Sequence, residues 1–196
     1  MPDETLPGAE EVLGFWFTRP GDPEHGRPRD LWWRKDPTFD ADVRARFLAL
    51  HEAAAAGACD HWQATARGTL ALTIVLDQFP RNMFRGSPRA FATDAKALAV
   101  AEAAIGRGFD RALPPVERKF FYLPFEHAEN LAVQERAVAL FAALPASPTH
   151  DKDLAVVRRH REIIARFARF PHRNSALGRV STAEETVFLT EPCSSF

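Results

Sequence analysis

Hydrophobic residues recur along the chain at helical spacing, and this pattern predicts an all-α protein. After an Asp–Pro pair of the kind that starts helices, Phe39, Val43, Phe47 and Leu50 lie three or four residues apart. No segment shows the two-residue alternation of a half-buried strand. We therefore expect about seven or eight helices, packed as antiparallel pairs with short connections.

Capping residues and prolines set the expected bounds of these helices. Thr182 and Glu185, for example, form a capping box at the start of the last one. We expect helices over residues 9–17, 37–57, 93–107, 115–122, 125–144, 151–170 and 182–189, besides a buried segment that begins at residue 69. A loop at 18–30 and a frayed tail after residue 190 complete a single helical domain over 1–196.

The most hydrophobic stretch, Leu70–Leu76, contains no charged residue and so predicts a helix that is buried on all sides. Asp77 would then lie in the last helical turn, where the helix dipole disfavours an anion, and Arg81 is the nearest cation that could compensate it. The polar residues that follow the stretch are Asp77, Gln78, Arg81, Asn82, Arg85 and Arg89. They predict a polar cluster against the core.

A short sequence occurs twice in the chain. The letters FPRN at 79–82 recur as FPHRN at 170–174, each time after a long hydrophobic helix. Two similar loops that each present an Arg–Asn pair would explain the recurrence, although four matching residues also arise by chance.

His127 and His160 occupy positions where the helical period calls for a hydrophobic residue. The two stripes are His127, Leu131, Gln134, Val138, Phe141 and Val156, His160, Ile163, Phe167, Phe170. Glu126, Glu129 and Asn130 surround the first histidine. Each histidine could be a hydrogen-bonded core residue. Alternatively, both could belong to one polar pocket with the polar residues after Leu70–Leu76 and the FPHRN loop, because buried polar groups need partners.

The composition is that of an ordinary globular protein, with 46% hydrophobic and 26% charged residues. A formal net charge of −1 argues against nucleic acid or an anionic membrane as partner. Two cysteines do not make a disulfide framework, and the acidic N-terminus does not have the pattern of a secretory signal. No hydrophobic run approaches the roughly 20 residues that span a bilayer, so we expect a cytoplasmic protein.

The sequence contains no familiar catalytic or cofactor motif. A G-x-S-x-G elbow, an H-E-x-x-H zinc motif and a glycine-rich phosphate loop are all absent. Glu126, His127, Glu129 and His160 could ligate a metal, but no Glu-x-x-His pair of the helical di-iron type supports this. We therefore expect no metal and no cofactor. The arginines could instead make bidentate contacts to a carboxylate or a phosphate.

Several longer motifs resemble those of an uncharacterised bacterial protein family. They are LGFWF, LWWRKDPTFD, LDQFPRNMFRGSPRAFATDAKAL, FFYLPFEHAENLAVQERAVALF and HREIIARFARFPHRNSALGRVSTAEETVFL, and they cover roughly residues 10–190. The family is similar to tetratricopeptide-repeat-like (TPR-like) all-helical folds. The resemblance implies a TPR-like array of stacked antiparallel helix pairs, without the regular consensus of roughly 34 residues. It implies no reaction and no catalytic residue.

Three functions fit these observations. We favour a binding protein whose pocket takes a small anionic molecule or an acidic peptide. Its candidate ligand-binding residues are Gln78, Arg81, Asn82, Arg85, Asn130, Arg161, His172, Arg173 and Asn174. The alternative is a hydrolase or lyase that uses His127 or His160 as general acid–base, with Glu126 or Glu129 orienting it. The third is a protein-interaction scaffold in which the polar cluster only fixes helix packing. The oligomeric state stays open.

Overall fold

A computed structural model of the protein describes residues 6–195 of the 196-residue chain. Within these residues there are eight α-helices, five short 3-10 helices and no strand, so the predicted all-α class is confirmed. The α-helices are α1 (Ala9–Phe17), α2 (Pro37–Ala55), α3 (Ala66–Met83), α4 (Asp94–Gly106), α5 (Pro115–Glu126), α6 (Leu131–Ala142), α7 (His150–Phe167) and α8 (Ala183–Phe188). None of these helices is long and apolar enough to cross a membrane.

The described residues divide into two compact units. Unit 1 comprises residues 6–85 and 89–124, and unit 2 comprises residues 86–88 and 125–195. The boundary falls inside α5, whose last two residues belong to unit 2. The single domain expected from the sequence stays a prediction.

The long helix α3 is the centre of unit 1 and packs against α1, α2 and α4. Leu70–Leu76 is buried throughout, as the sequence predicts, and so is the expected inward stripe of α2. Aromatic rings join α3 to its neighbours. The Trp16 ring of α1 packs edge-on against Phe79 of α3 and Phe120 of α5, at centroid distances of 5.7 and 5.8 Å.

Helix α3 continues through Pro80 to Met83, so the expectation that Asp77 lies in its last turn is wrong. A proline has no N–H and therefore cannot donate to the carbonyl one turn before it, which for Pro80 is that of Leu76. The hydroxyl of Thr93, at the start of α4, donates to this carbonyl at 2.5 Å instead. A side chain from another helix thus satisfies the carbonyl and allows α3 to continue.

The single helix expected over 125–144 is also wrong. Helix α5 continues past its expected end at Tyr122 to Glu126, and a separate helix, α6, begins at Leu131. His127 therefore lies in the turn between two helices and outside any helical stripe. Leu131, the next member of the expected stripe, is 40% exposed.

Side chains at the start of α6 stabilise this turn. The side-chain oxygen of Asn130 accepts a hydrogen bond from the N–H of Val133 at 3.1 Å and caps α6. The buried amide of Gln134 donates to the carbonyls of Glu126 and Ala128, at 2.5 and 2.8 Å. The end of α5 and the start of α6 thereby have hydrogen-bond partners without a continuous helix.

Helix α7 ends at Phe167, three residues before its expected end. Ala168 adopts the left-handed conformation with φ 58°, which is a common helix terminator. The N–H of Phe170 then donates to the carboxylate of Glu129 at 2.8 Å, which holds this residue outside the helix. Val156 is exposed on α7 and is not part of its buried stripe.

Candidate functional site

Arg81 of α3 is bound by two carboxylates of unit 1. Its Nη1 lies 3.3 Å from Asp77 Oδ1 and 2.9 Å from Asp94 Oδ1, and its Nη2 lies 3.0 Å from Asp94 Oδ2. Gln78 donates to the other oxygen of Asp77 at 2.6 Å. The predicted compensation of Asp77 by Arg81 is confirmed, and the same guanidinium joins α3 to the start of α4.

Other predicted binding residues also contact carboxylates of the protein. Asn82 donates to Asp40 of α2 at 2.7 Å, and Arg85 donates to both oxygens of Asp40 at 2.5 and 3.0 Å. In unit 2, the exposed Arg161 contacts the Glu135 carboxylate at 3.1 Å. An anionic ligand would have to compete with these carboxylates, and the role of these side chains in ligand binding stays a prediction.

Three basic side chains of unit 2 surround the ring of Phe170. Arg173 Cζ lies 4.6 Å from the ring centroid, and the rings of His160 and His172 lie 5.4 and 5.7 Å from it. We name these four residues, together with Glu126, the Phe170 cluster. All of its members are buried except His172, which is half-buried.

His160 contacts two hydrogen-bond acceptors through one ring nitrogen. Its Nδ1 lies 3.0 Å from the carbonyl oxygen of Val156 and 3.1 Å from Oε1 of Glu126. Because both partners accept, Nδ1 carries the proton and Nε2 carries the lone pair. Burial lowers the pKa of His160 to about 3, with smaller contributions from His127 and from the two other basic members of the cluster. The ring is therefore neutral at physiological pH.

Glu129 binds an arginine and the backbone beside the cluster. Its carboxylate accepts hydrogen bonds from Arg179 at 2.7 and 3.0 Å and from the N–H of Phe170 at 2.8 Å. Burial alone would raise the pKa of Glu129, but these hydrogen bonds lower it. Of the two glutamates predicted to orient a histidine, Glu126 contacts His160, whereas Glu129 holds Phe170 in place.

The predicted asparagines of unit 2 have structural partners. Asn174 is 1% exposed and donates to Ser181 at 3.0 Å and to Glu185 at 3.3 Å. Glu185 also accepts two hydrogen bonds from Arg169, at 2.6 and 2.7 Å, and these bonds lower the pKa of Glu185 to about 2. Asn174 thus fixes the loop after α7 to α8, just as Asn130 caps α6.

Part of the predicted site is therefore assembled within unit 2. The predicted residues that lie together there are Glu126, His160, His172 and Arg173. The predicted residues Gln78, Arg81, Asn82 and Arg85 belong to unit 1. The single pocket suggested by the sequence stays a prediction. No group of three or more His, Cys, Asp or Glu side chains within residues 6–195 is arranged to hold a metal ion.

Unit 1 contains a cavity of about 410 Å³ that the sequence did not predict. Buried Glu117 of α5 lines this cavity, and its Oε2 accepts no hydrogen bond from the described residues. Glu117 lies in the first turn of α5, where the helix dipole favours an acidic residue on any surface helix. Its position in the sequence therefore carries no signal of a cavity.

Comparisons with known proteins confirm the family resemblance of the motifs. Residues 12–193 match the family described as bacterial protein of unknown function (DUF924). No curated protein matches the chain. The solved structure of the protein of unknown function ATU0120 from Agrobacterium tumefaciens is 42% identical in sequence, with a TM-score of 0.82 over 93% of this chain and 96% of that one. The chain belongs to the bacterial family of unknown function DUF924.

Proposed function

We propose that the protein binds a small anionic molecule at the Phe170 cluster of unit 2. The supporting observation is the ring of Phe170, around which Arg173, His160 and His172 lie at 4.6 to 5.7 Å. A buried aromatic ring fixes these basic groups in place, so a ligand meets them already positioned. A carboxylate of an acidic peptide has the same chemistry and is the alternative ligand.

Arg173 is the member of the cluster that would attract an anion. It is 6% exposed and permanently charged. The cluster contains one carboxylate, that of Glu126. A carboxylate or phosphate ligand can make paired, charge-assisted hydrogen bonds to a guanidinium.

His160 would contribute no positive charge to the site, because its ring is neutral. Arg173 would therefore supply the positive charge that meets the negative oxygens of a ligand. Inorganic phosphate is the simplest ligand with such oxygens and is therefore the probe for this site.

The contact between Glu126 and His160 favours a second candidate function, general acid–base catalysis in a hydrolase or lyase. A carboxylate that holds a histidine ring in place is the arrangement typical of a general base and its orienting group. A pKa of about 3 weakens this candidate, because a general base works best when its pKa lies near the working pH. We therefore rank catalysis below binding.

The third candidate, a scaffold with a purely structural cluster, predicts no response to a ligand.

Thermal unfolding in sodium phosphate and in sodium chloride of equal ionic strength tests the proposal. Phosphate at about 100 times its Kd would stabilise the folded protein by about 2.7 kcal/mol, or roughly 5–10 °C in Tm for a chain of this size. We expect Arg173→Gln and His172→Gln to lose this rise. Arg166→Gln is the matched control, because it removes an exposed guanidinium of α7 and should keep the rise.

Two results would contradict the proposal. The first is an equal Tm of the wild-type protein in the two salts, which would favour the scaffold function. The second is a phosphate-specific rise that both Arg173→Gln and His172→Gln retain, which would place the anion elsewhere.

The same unfolding curves test the architecture. We propose that the chain forms one cytoplasmic domain of antiparallel helix pairs in a TPR-like array. The packing of successive helices, α2 against α3 and α6 against α7, supports this arrangement. A single domain should unfold in one cooperative transition, and two separate transitions would contradict it.

A further inference from the structure

The cavity of unit 1 lies between α1, the loop that follows it, the start of α3 and the start of α5. Its volume of about 410 Å³ is far larger than the ~10–15 Å³ that a cavity needs on the same measure to hold one water molecule. A cavity of this size accommodates a small organic molecule. Leu13 and Phe17 of α1 contribute hydrophobic surface to its wall.

Glu117 is a buried carboxylate with few partners in this cavity. The residue is 5% exposed, and its Oε2 accepts no hydrogen bond from any described residue. The nearest cation is Arg67, whose Nη1 lies 3.9 Å from this oxygen. Arg67 is engaged by Glu10, to which it donates two hydrogen bonds at 2.9 and 2.7 Å. Burial raises the pKa of Glu117, as expected for a carboxylate that is poorly compensated.

Thr18 adds backbone strain and a second polar atom at the same cavity. Its φ of 66° and ψ of 168° lie in a region that is adopted almost exclusively by glycine. The side-chain oxygen of Thr18 is buried and has no hydrogen-bond partner among residues 6–195. The Nδ1 of His25 donates to the Thr18 carbonyl at 3.1 Å and helps to hold this conformation. Strain of this kind concentrates at ligand-binding positions.

We propose that this cavity binds a small organic cation with a primary ammonium group, and that Glu117 is its anchor. An ammonium group has three N–H donors and no acceptor, so it suits a buried carboxylate such as that of Glu117. The residues that line the cavity include three carboxylates, two guanidinium groups and one histidine, and their charges favour a cation over an anion. The hydrophobic wall at Leu13 and Phe17 suits an apolar body.

Isothermal titration calorimetry with benzylamine tests this proposal. Benzyl alcohol and benzoate keep the aromatic ring but replace the ammonium group, and we expect both to bind more weakly than benzylamine. Glu117→Gln preserves the size of the side chain and removes its charge. This change should weaken benzylamine binding by about tenfold or more, the usual loss for a hydrogen bond to a charged group. Glu191→Gln removes an exposed carboxylate outside the cavity and should leave the affinity unchanged.

Gly14→Leu is a second variant that leaves Glu117 intact. Gly14 lines the cavity, and a Cβ at this position would lie 3.2 Å from the flexible side chain of Arg19. A leucine should therefore occupy the cavity and abolish benzylamine binding while the circular dichroism spectrum is retained. Three results would overturn the proposal. These are no benzylamine binding by the wild-type protein, tighter binding of benzoate than of benzylamine, and equal benzylamine affinity of the wild-type and Glu117→Gln proteins. The phosphate response should persist in Glu117→Gln, so each proposal can fail alone.

Discussion

Two segments of the chain share a sequence but differ in structure. FPRN at 79–82 lies inside α3, which continues past Pro80, whereas FPHRN at 170–174 follows α7 and forms a 3-10 helix over Pro171–Arg173. The local sequence is nearly the same. The difference arises from the surroundings, because α3 receives a hydrogen-bond donor from another helix and α7 has already ended at a left-handed residue.

The asparagines of the two segments make the same kind of contact, whereas the arginines do not. Each asparagine donates to a buried or half-buried carboxylate, Asn82 to that of Asp40 at 2.7 Å and Asn174 to that of Glu185 at 3.3 Å. The arginines differ, since Arg81 lies between two carboxylates whereas Arg173 lies over an aromatic ring beside histidines. A guanidinium between carboxylates serves the fold.

Among the variants that test this comparison, we expect Arg81→Met to lose the most free energy of unfolding. The change leaves the fully buried Asp77 and its neighbour Asp94 without this cation. Breaking a buried ion pair costs about 3–5 kcal/mol, and we expect the lower end because Gln78 still donates to Asp77. Urea titration should therefore show a free energy of unfolding about 3 kcal/mol below that of the wild-type protein.

Arg161→Met is the control for this prediction. Its pair with Glu135 is exposed, and exposed pairs contribute at most about 1 kcal/mol. Equal losses in Arg81→Met and Arg161→Met would contradict the structural role that we assign to Arg81. A phosphate response that disappears in Arg81→Met would instead show that this arginine also belongs to a ligand site.

Local patterns predicted much of the fold. Helix α1 has the expected bounds, Asp36 caps α2 through two hydrogen bonds to backbone N–H groups, and Thr182 and Glu185 form the expected capping box. Each of these features depends on residues within one helical turn of each other. Such neighbours can be identified directly in the sequence.

Features that depend on distant residues were not predicted. Nothing near Pro80 indicates that Thr93 will supply the missing donor, and nothing near His127 indicates that Gln134 will satisfy the carbonyls at the end of α5. The cavity at Glu117 was missed for the same reason. Its walls come from helices that are far apart in sequence.

A smaller effect is expected for Thr93→Val, which tests why the first segment stays helical. Valine keeps the shape of threonine but removes the hydroxyl that donates to the Leu76 carbonyl. An unsatisfied buried group costs about 1–3 kcal/mol, and we expect a loss of this size in the free energy of unfolding. Thr93→Ser keeps the hydroxyl and should be clearly less destabilising. Equal losses in the two variants would show that the hydroxyl does not carry α3 past Pro80.

The smallest effect concerns the second segment and its carboxylate partner, Glu185. The pKa of Glu185 is lowered from 4.5 to about 2 in the folded protein, chiefly by the hydrogen bonds from Arg169. The unfolded chain therefore binds more protons at acidic pH. The stability from this group is fully present above about pH 4.5 and is lost as the pH falls towards 2. Between neutral pH and pH 4 the loss should be less than about 1 kcal/mol.

Urea titrations over this pH range would detect the loss in a comparison of two variants. Glu185→Gln cannot take up the proton, so its free energy of unfolding should fall less between neutral pH and pH 4 than that of the wild-type protein. Glu184→Gln is the matched control, because its exposed carboxylate contacts the exposed Arg166. It should follow the wild-type pH dependence. If Glu185→Gln also follows the wild-type curve, the charge of the Glu185 carboxylate does not stabilise the second segment. The parallel between the Asn174–Glu185 and Asn82–Asp40 hydrogen bonds then fails.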